Sequence, residues 1–218
     1  MRPLAACALS AFLLVLLSGP ALAARATPEE RAARAQAAQW FDRGAKAASE
    51  RRYEEAVAAY SKAIDLHARF AEAYAGRGIA YERLGRHEKA MTDYTRAIDL
   101  DRKSAPAWNN RGLLHFGAGR FDKAVADLTQ AVALAPGSAT YALNRAAAYA
   151  RMKEHDKAVA DYTDAIGADP RNGNAYAGRG ASYYALGETV KALADFETAC
   201  SLGSEAGCAS LKAVKKGK

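Results

Sequence analysis

Between Trp108 and Val132 the apolar positions fall into two stripes of helical period. Trp108, Gly112 and His115 recur at spacings of four and three residues. After a turn marked by Gly119, a second stripe runs through Phe121, Ala124, Val125, Leu128, Ala131 and Val132. Side chains three and four apart share one face of a helix, so the segment predicts two helices, A and B, packed as a hairpin. The same pattern returns along the chain at steps of 34 residues. Trp40, Tyr74, Trp108 and Tyr176 keep that step, and so do Gly44, Gly78, Gly112, Ala146 and Gly180. On the second helix it is kept by Ala56, Ala90, Ala124, Ala158 and Ala192, and again by Ala63, Ala97, Ala131, Ala165 and Ala199. Tyr60, Tyr94, Leu128, Tyr162 and Phe196 stand between those two columns, while Pro136 and Pro170 close two of the units. Five units result: 37–70, 71–104, 105–138, 139–172 and 173–206. Small residues at the constant slots let the paired helices approach closely. One hairpin cannot bury both its faces, so each unit is expected to stack on the next.

The array has marked ends. Thr27-Pro28-Glu29-Glu30 reads as an N-cap, a proline at the first helical position and a capping-box glutamate, so residues 24–36 predict a helical extension ahead of the first unit. Ser204 can cap a last helix from about Glu205 to Val214, and residues 207–218 read as a capping helix with a basic tail.

From about Ala37 to Ala206 these slots resemble the tetratricopeptide repeat family, with small and aromatic positions in register over five copies. The resemblance implies an all-α, right-handed α–α solenoid of five helical hairpins plus a C-terminal capping helix. It also implies a protein-binding role rather than catalysis. The terminal proline is missing from the first, second and fifth units, and Ala142 fills the aromatic slot of the fourth. The segment Ala199-Cys200-Ser201-Leu202-Gly203, followed by Gly207-Cys208, resembles the end of Sel-like helical repeats, in which two such cysteines bridge a helix pair. A Cys200–Cys208 disulfide is what that likeness implies, and the even count left in an exported chain once Cys7 is removed with its leader agrees with it. The alternative is simple burial of Cys200, whose slot holds Ile64, Ile98, Val132 and Ile166 elsewhere.

Export is the expectation set by the N-terminus. Arg2 precedes an apolar stretch from Leu4 to Leu17, followed by the breakers Ser18, Gly19 and Pro20 and then Ala21-Leu22-Ala23. A basic start, a short apolar core and an A-x-A site make a secretory signal peptide over 1–23, cleaved near Ala23 to leave a periplasmic or secreted protein. The apolar run falls short of the roughly 20 residues that span a bilayer, which makes an uncleaved anchor the lesser reading. Leu4-Ala5-Ala6-Cys7 spells a lipoprotein box but precedes the apolar core, which argues against lipidation. The net charge is +7, yet the cations are scattered, and their one cluster is the tail Lys212, Lys215, Lys216 and Lys218. That distribution argues against nucleic acid and allows at most weak contact with an anionic surface through the tail.

Candidate chemistry is sparse. The four histidines disperse: His87 and His155 take the slot of Tyr53 and Phe121, His115 takes that of Tyr81, Tyr149 and Tyr183, and His67 ends a helix. No metal-ligand spacing appears, and no cofactor is expected. Arg43, Arg77, Arg111, Arg145 and Arg179 recur at the repeat step. Such a column could grip phosphates. Four of the five, however, have an acid sixteen residues later, giving Arg77 with Asp93, Arg111 with Asp127, Arg145 with Asp161 and Arg179 with Asp195. Guanidinium and carboxylate pair well in a partly buried seam, so a structural ladder is the expectation. In the first unit Ala59 stands at that place. No S-x-x-K, no G-x-S-x-G and no phosphate-binding glycine loop occurs, so no catalytic residue is named.

The candidate site is the groove that A helices line in the family. In this register Phe41, Asp42, Ile79, Glu82, Asn109, Asn110, Leu113, Phe116, Asn144, Arg151 and Tyr184 face inward. Asn110 and Asn144 hold equivalent slots, where Asp42, Gly76 and Gly178 stand in the other units. A similar asparagine ladder holds peptide backbones in some family members, since an amide donates and accepts at once. Partner binding is therefore assigned to Asn109, Asn110, Leu113, Phe116, Asn144 and Arg151. The leading expectation is an exported scaffold that takes an extended segment of another protein. An architectural or self-associating spacer is the alternative. A hydrolase of the kind linked to some Sel-like proteins is a remote third, lacking its nucleophile motif.

Overall fold

The structure is a computed structural model and describes residues 27–216. The signal-peptide expectation for 1–23 lies outside the described residues, as do 24–26 and the tail's last two positions, Lys218 included. The described chain forms eleven helices: α1 (Pro28–Ser49), α2 (Tyr53–Leu66), α3 (Ala71–Arg83), α4 (His87–Leu100), α5 (Ala105–Gly117), α6 (Phe121–Leu134), α7 (Ala139–Arg151), α8 (His155–Ala168), α9 (Gly173–Ala185), α10 (Thr189–Ser201) and α11 (Glu205–Lys216). The odd members from α1 to α9 are the A helices and the even ones the B helices. Each packs chiefly on its neighbours in sequence, giving a one-dimensional stack closed by α11. Among the described residues no helix is long and apolar enough to cross a membrane.

Local chemistry sets the helix ends. At the start of α1, Thr27 Oγ1 accepts from the Glu30 amide at 3.1 Å while Glu30 Oε2 accepts from the Thr27 amide at 2.8 Å. This helix runs 22 residues, where the other A helices have 13, so the extension and the first A helix form one rod. The A-to-B turns place Arg51, Gly85, Gly119, Lys153 and Gly187 in the left-handed region, one repeat step apart. Glycine takes that conformation freely, whereas Arg51 and Lys153 take it at roughly 1–2 kcal/mol each.

The hairpins close on contacts that leave no room for a side chain. A Cβ on Gly44 would lie 2.8 Å from the Tyr60 ring, and one on Gly78 2.8 Å from the Tyr94 ring. Gly112 faces Leu128 at 2.9 Å and Gly180 faces Phe196 at 2.8 Å in the same way. The alanine columns, Ala56 to Ala192 and Ala63 to Ala199, are buried beside them. The core is thus a string of small clusters distributed along the hairpins and unit junctions.

A polar seam runs through the stack. Arg77 donates to Asp93 through Nε and Nη2 at 2.7 and 2.8 Å, and its Nη1 reaches Ser61 of the preceding B helix at 3.0 Å. Arg111 repeats this with Asp127 (2.8 and 2.8 Å) and Thr95 (3.2 Å). Arg145 does so with Asp161 (2.6 and 2.7 Å) and Thr129 (3.5 Å), and Arg179 with Asp195 (2.8 and 2.9 Å) and Thr163 (3.2 Å). The next residue of the serine/threonine column is Glu197, which takes Lys215 of α11 at 2.9 Å. Each arginine therefore ties three helices, and two of them belong to different units.

The cap starts at Glu205, where the sequence expects Ser204 to cap it; the start lies two residues ahead of the 207 boundary drawn from the repeat step, because the link after α10 is shorter than those between units. Ser204 is buried there and its Oγ accepts from the Gly207 amide at 3.3 Å. Gly207 sits so close to Ala199 that a Cβ would approach it to 2.4 Å. A disulfide joins Cys200 to Cys208, with Cα atoms 4.5 Å apart. Closing so short a loop stabilises the cap by about 2–3 kcal/mol in the chain-entropy account.

The seam is a test of the stack. Asp127→Asn leaves Arg111, whose side chain is 18% exposed, without its anion. Removing one partner of a buried pair destabilises strongly, so the unfolding free energy should fall by up to about 3 kcal/mol in a denaturant titration. An unchanged midpoint would mean that the seam does not hold the units together.

Candidate functional site

Successive A helices touch each other, α1 with α3, α5 with α7 and α7 with α9, and the B helices make no comparable contacts among themselves. The row of A helices is accordingly the inside of the curve. Along it, Ile79 and Leu113 occupy one slot in neighbouring units and are 40% and 36% exposed. Tyr184, in the slot of Glu82 and Phe116, is 53% exposed.

The three asparagines form one chain rather than three separate contacts. Asn144 Nδ2 donates to Asn109 Oδ1 at 2.8 Å, and Asn109 Nδ2 donates to Asn110 Oδ1 at 3.1 Å. Asn109 is buried and spends its amide bridging α5 and α7, so its placement among groove-lining contacts is corrected. Its slot holds Phe41, Ala75, Leu143 and Ala177 in the other units, which is a packing position. The bridge leaves the carbonyl oxygen of Asn144 and the NH2 of Asn110 to offer, the latter beside the Tyr94 hydroxyl. That hydroxyl donates to Glu82 at 2.9 Å, and burial, with the Glu82 carboxylate second, raises its pKa.

Gly76 and Gly178 interrupt the amide column for a steric reason. A Cβ at Gly76 would come within 2.7 Å of Tyr60, and one at Gly178 within 2.3 Å of Tyr162, both rings of the preceding B helix. No side chain larger than hydrogen fits without moving those rings.

Phe116 and Arg151 are brought together. The Phe116 ring meets Phe121 edge-on at 5.4 Å, and the Arg151 guanidinium lies 4.7 Å from the centre of Phe121 and 5.7 Å from that of Phe116. An exposed cation is thereby seated at a fixed place on the aromatic pair. Beside Leu113, a recess of about 410 Å³ opens between the second and third units, lined by Glu82, His87, Met91, Leu114 and Arg120 among others. It gathers residues from three helices, so a reading confined to one helix face missed it. His115 packs against the Arg111–Asp127 pair and accepts from Arg120 Nε at 3.0 Å. Burial lowers its pKa and keeps the ring neutral, while Asp127 pulls the other way. Among the described residues no cluster of potential metal ligands occurs.

Family models described as tetratricopeptide repeat match residues 71–104, 109–172 and 151–206, and one described as TPR repeat matches 49–85. The chain belongs to the tetratricopeptide-repeat family. Members of this family serve as protein–protein interaction scaffolds, and solved structures similar to this one carry the same solenoid. The crystal structure of MamA protein is 26% identical, with a TM-score of 0.70 over 77% of this chain and 91% of that one. YrrB, described as a tetratricopeptide-repeat protein with an unusual peptide-binding site, is 20% identical, with a TM-score of 0.72 over 86% and 100%. The pilF protein of Pseudomonas aeruginosa is 19% identical, with a TM-score of 0.70 over 80% and 78%. Comparison with curated proteins gave no match.

Proposed function

We propose that this tetratricopeptide-repeat protein is an exported scaffold that holds an extended segment of a partner protein along the inner face of its third and fourth units. The observation that carries the reading is the exposed Leu113 on α5 of the third unit, set beside the Asn110 and Asn144 amides and continued into the second unit by exposed Ile79 on α3. Covering a large aliphatic side chain is worth about 1.5–3 kcal/mol when burial is complete. The amides add a donor and an acceptor suited to a main-chain peptide group. Arg151, seated on Phe116 and Phe121, supplies a fixed positive charge at the edge. Phe116 contributes chiefly by holding that cation, since it is half-buried against Leu128 and Ala148. Backbone hydrogen bonds with side-chain pockets are the usual means of holding an extended peptide. Export rests on the basic start, short apolar core and Ala21-Leu22-Ala23 of the leader.

The double change Asn110→Ala with Asn144→Ala, made in an Asn109→Ala background so that no buried amide is left unpaired, should weaken capture of the partner segment about tenfold relative to Asn109→Ala alone, since each lost hydrogen bond costs about 0.5–1.5 kcal/mol. Capture equal to that of Asn109→Ala alone, with an unaltered helical spectrum, would remove the groove as the site. Mass analysis of the protein from the cell envelope should give a chain beginning at Ala24, and an intact Met1 there would contradict cleavage.

A further inference from the structure

The arginine column has five members, and only four have an acid. Arg77, Arg111, Arg145 and Arg179 each hold an aspartate with two hydrogen bonds. Three of these also lie against the aromatic residue one turn earlier: Tyr74 at 5.5 Å, Trp108 at 5.0 Å and Tyr176 at 5.5 Å. Arg43 has the same seat, 4.7 Å from the centre of the Trp40 ring, but it faces Ala59 where the others face aspartate. Among the described residues it makes no ion pair. No B helix precedes α1 among the described residues, so this rung lies on the open end of the stack.

At that end a cavity of about 480 Å³ is lined by Trp40, Arg43, Lys46 and Ala47 of α1, by Ala58, Ala59 and Lys62 of α2, and by Arg52 and Glu55. Arg52 is neutralised by Glu50 and Glu55. Arg43, Lys46 and Lys62 make no close ion pair among the described residues and stand around a floor of alanines, with Glu50 acting on Lys46 from a greater distance. In the other units the matching volume holds a carboxylate between guanidinium and B helix.

We infer that this end pocket binds a carboxylate side chain of an acidic segment in a partner protein, seating it on Arg43 as the missing rung of the ladder. The planar guanidinium presents two parallel donors, which match a carboxylate edge-on. Lys46 and Lys62 add attraction for neighbouring acids of the same segment. Residues 1–26 contain no aspartate or glutamate, so that segment does not supply the carboxylate. This site is separate from the groove and does not rest on that reading.

A fluorescein-labelled hexaglutamate peptide, with hexaglutamine as its control, tests the pocket by fluorescence anisotropy. Hexaglutamate should bind and hexaglutamine should not, and added salt should weaken the binding because the site is open to solvent. Arg43→Gln removes only an exposed side chain and should cost about tenfold or more in affinity, as the loss of a bidentate charge-assisted pair does. Arg69→Gln, an equal loss of charge elsewhere on the surface, should cost nothing. The decisive variant is Ala59→Asp, which supplies the fifth rung from within the chain. It should raise the melting temperature and abolish hexaglutamate binding together. Undiminished binding by both Arg43→Gln and Ala59→Asp would overturn the inference. Full release of the peptide by an equal concentration of inorganic phosphate would assign a phosphate site instead. An Arg43-dependent dimer in sedimentation velocity would give the pocket to a second copy and overturn the assignment to a partner.

Discussion

The distance between the two helices of each hairpin is set where a residue without a side chain meets a ring or a leucine, and the remaining geometry depends on that distance. With Gly78 under Tyr94 and Gly112 against Leu128, the A and B backbones come close enough for Arg77 and Arg111 to reach acids sixteen residues on with both arms of the guanidinium. The third arm then catches the hydroxyl of Ser61 or Thr95 on the preceding B helix, so one interaction sets both the hairpin and its stacking. In the fourth unit Ala146 fills the small slot, and the Tyr162 ring lies against Gly178 of the next unit as Tyr60 lies against Gly76. Small residues on the A helices are thus required on two sides, once within the hairpin and once across the junction.

Most of the architecture was legible because a repeat writes its contacts several times. The sixteen-residue interval from arginine to aspartate, read from four copies, names partners that no single unit would identify. Thr27 with Glu30 names the first helix start because a capping box is a local device, complete within four residues. Asn109 shows the limit of reading by residue type. Its polarity suggested a contact residue, while its slot, apolar in four other units, indicated burial. The physical resolution is that a buried amide is tolerated when both its ends are satisfied, as Asn110 and Asn144 do here. The recess beside Leu113 was illegible for a different reason, since its walls come from α3, α4 and α5 and exist only after two units stack. The start of α11 at Glu205 was legible from the local cap Ser204, while the repeat step alone placed the boundary two residues later.

The two ends of the stack differ in kind. At the C-terminal end, α11 covers the last hairpin, Lys215 satisfies Glu197 and a disulfide ties the cap to α10. At the N-terminal end, the long rod of α1 leaves Trp40, Arg43 and Ala59 facing a cavity. Among the described residues the stack is covered at one end and open and cationic at the other, and the two surfaces proposed for partners are the inner face of the A helices and that open end. Neither asks for movement of the frame, because the side chains that would make contact stand on packed helices, α5 and α7 held by the seam and α1 by the contact of Gly44 with Tyr60.

The central claim is that the inner face, and not the outer one, receives a partner segment. A photoreactive amino acid placed at Leu113 on α5, and separately at Gln130 on the outward side of α6, tests it in the cell that makes the protein. Both positions are exposed, so reactivity alone does not distinguish them. The account predicts a crosslink from position 113 to one short stretch of a partner, lost when Asn110→Ala and Asn144→Ala are added to an Asn109→Ala background, and none from position 130. A crosslink from position 130 with none from position 113 would contradict it.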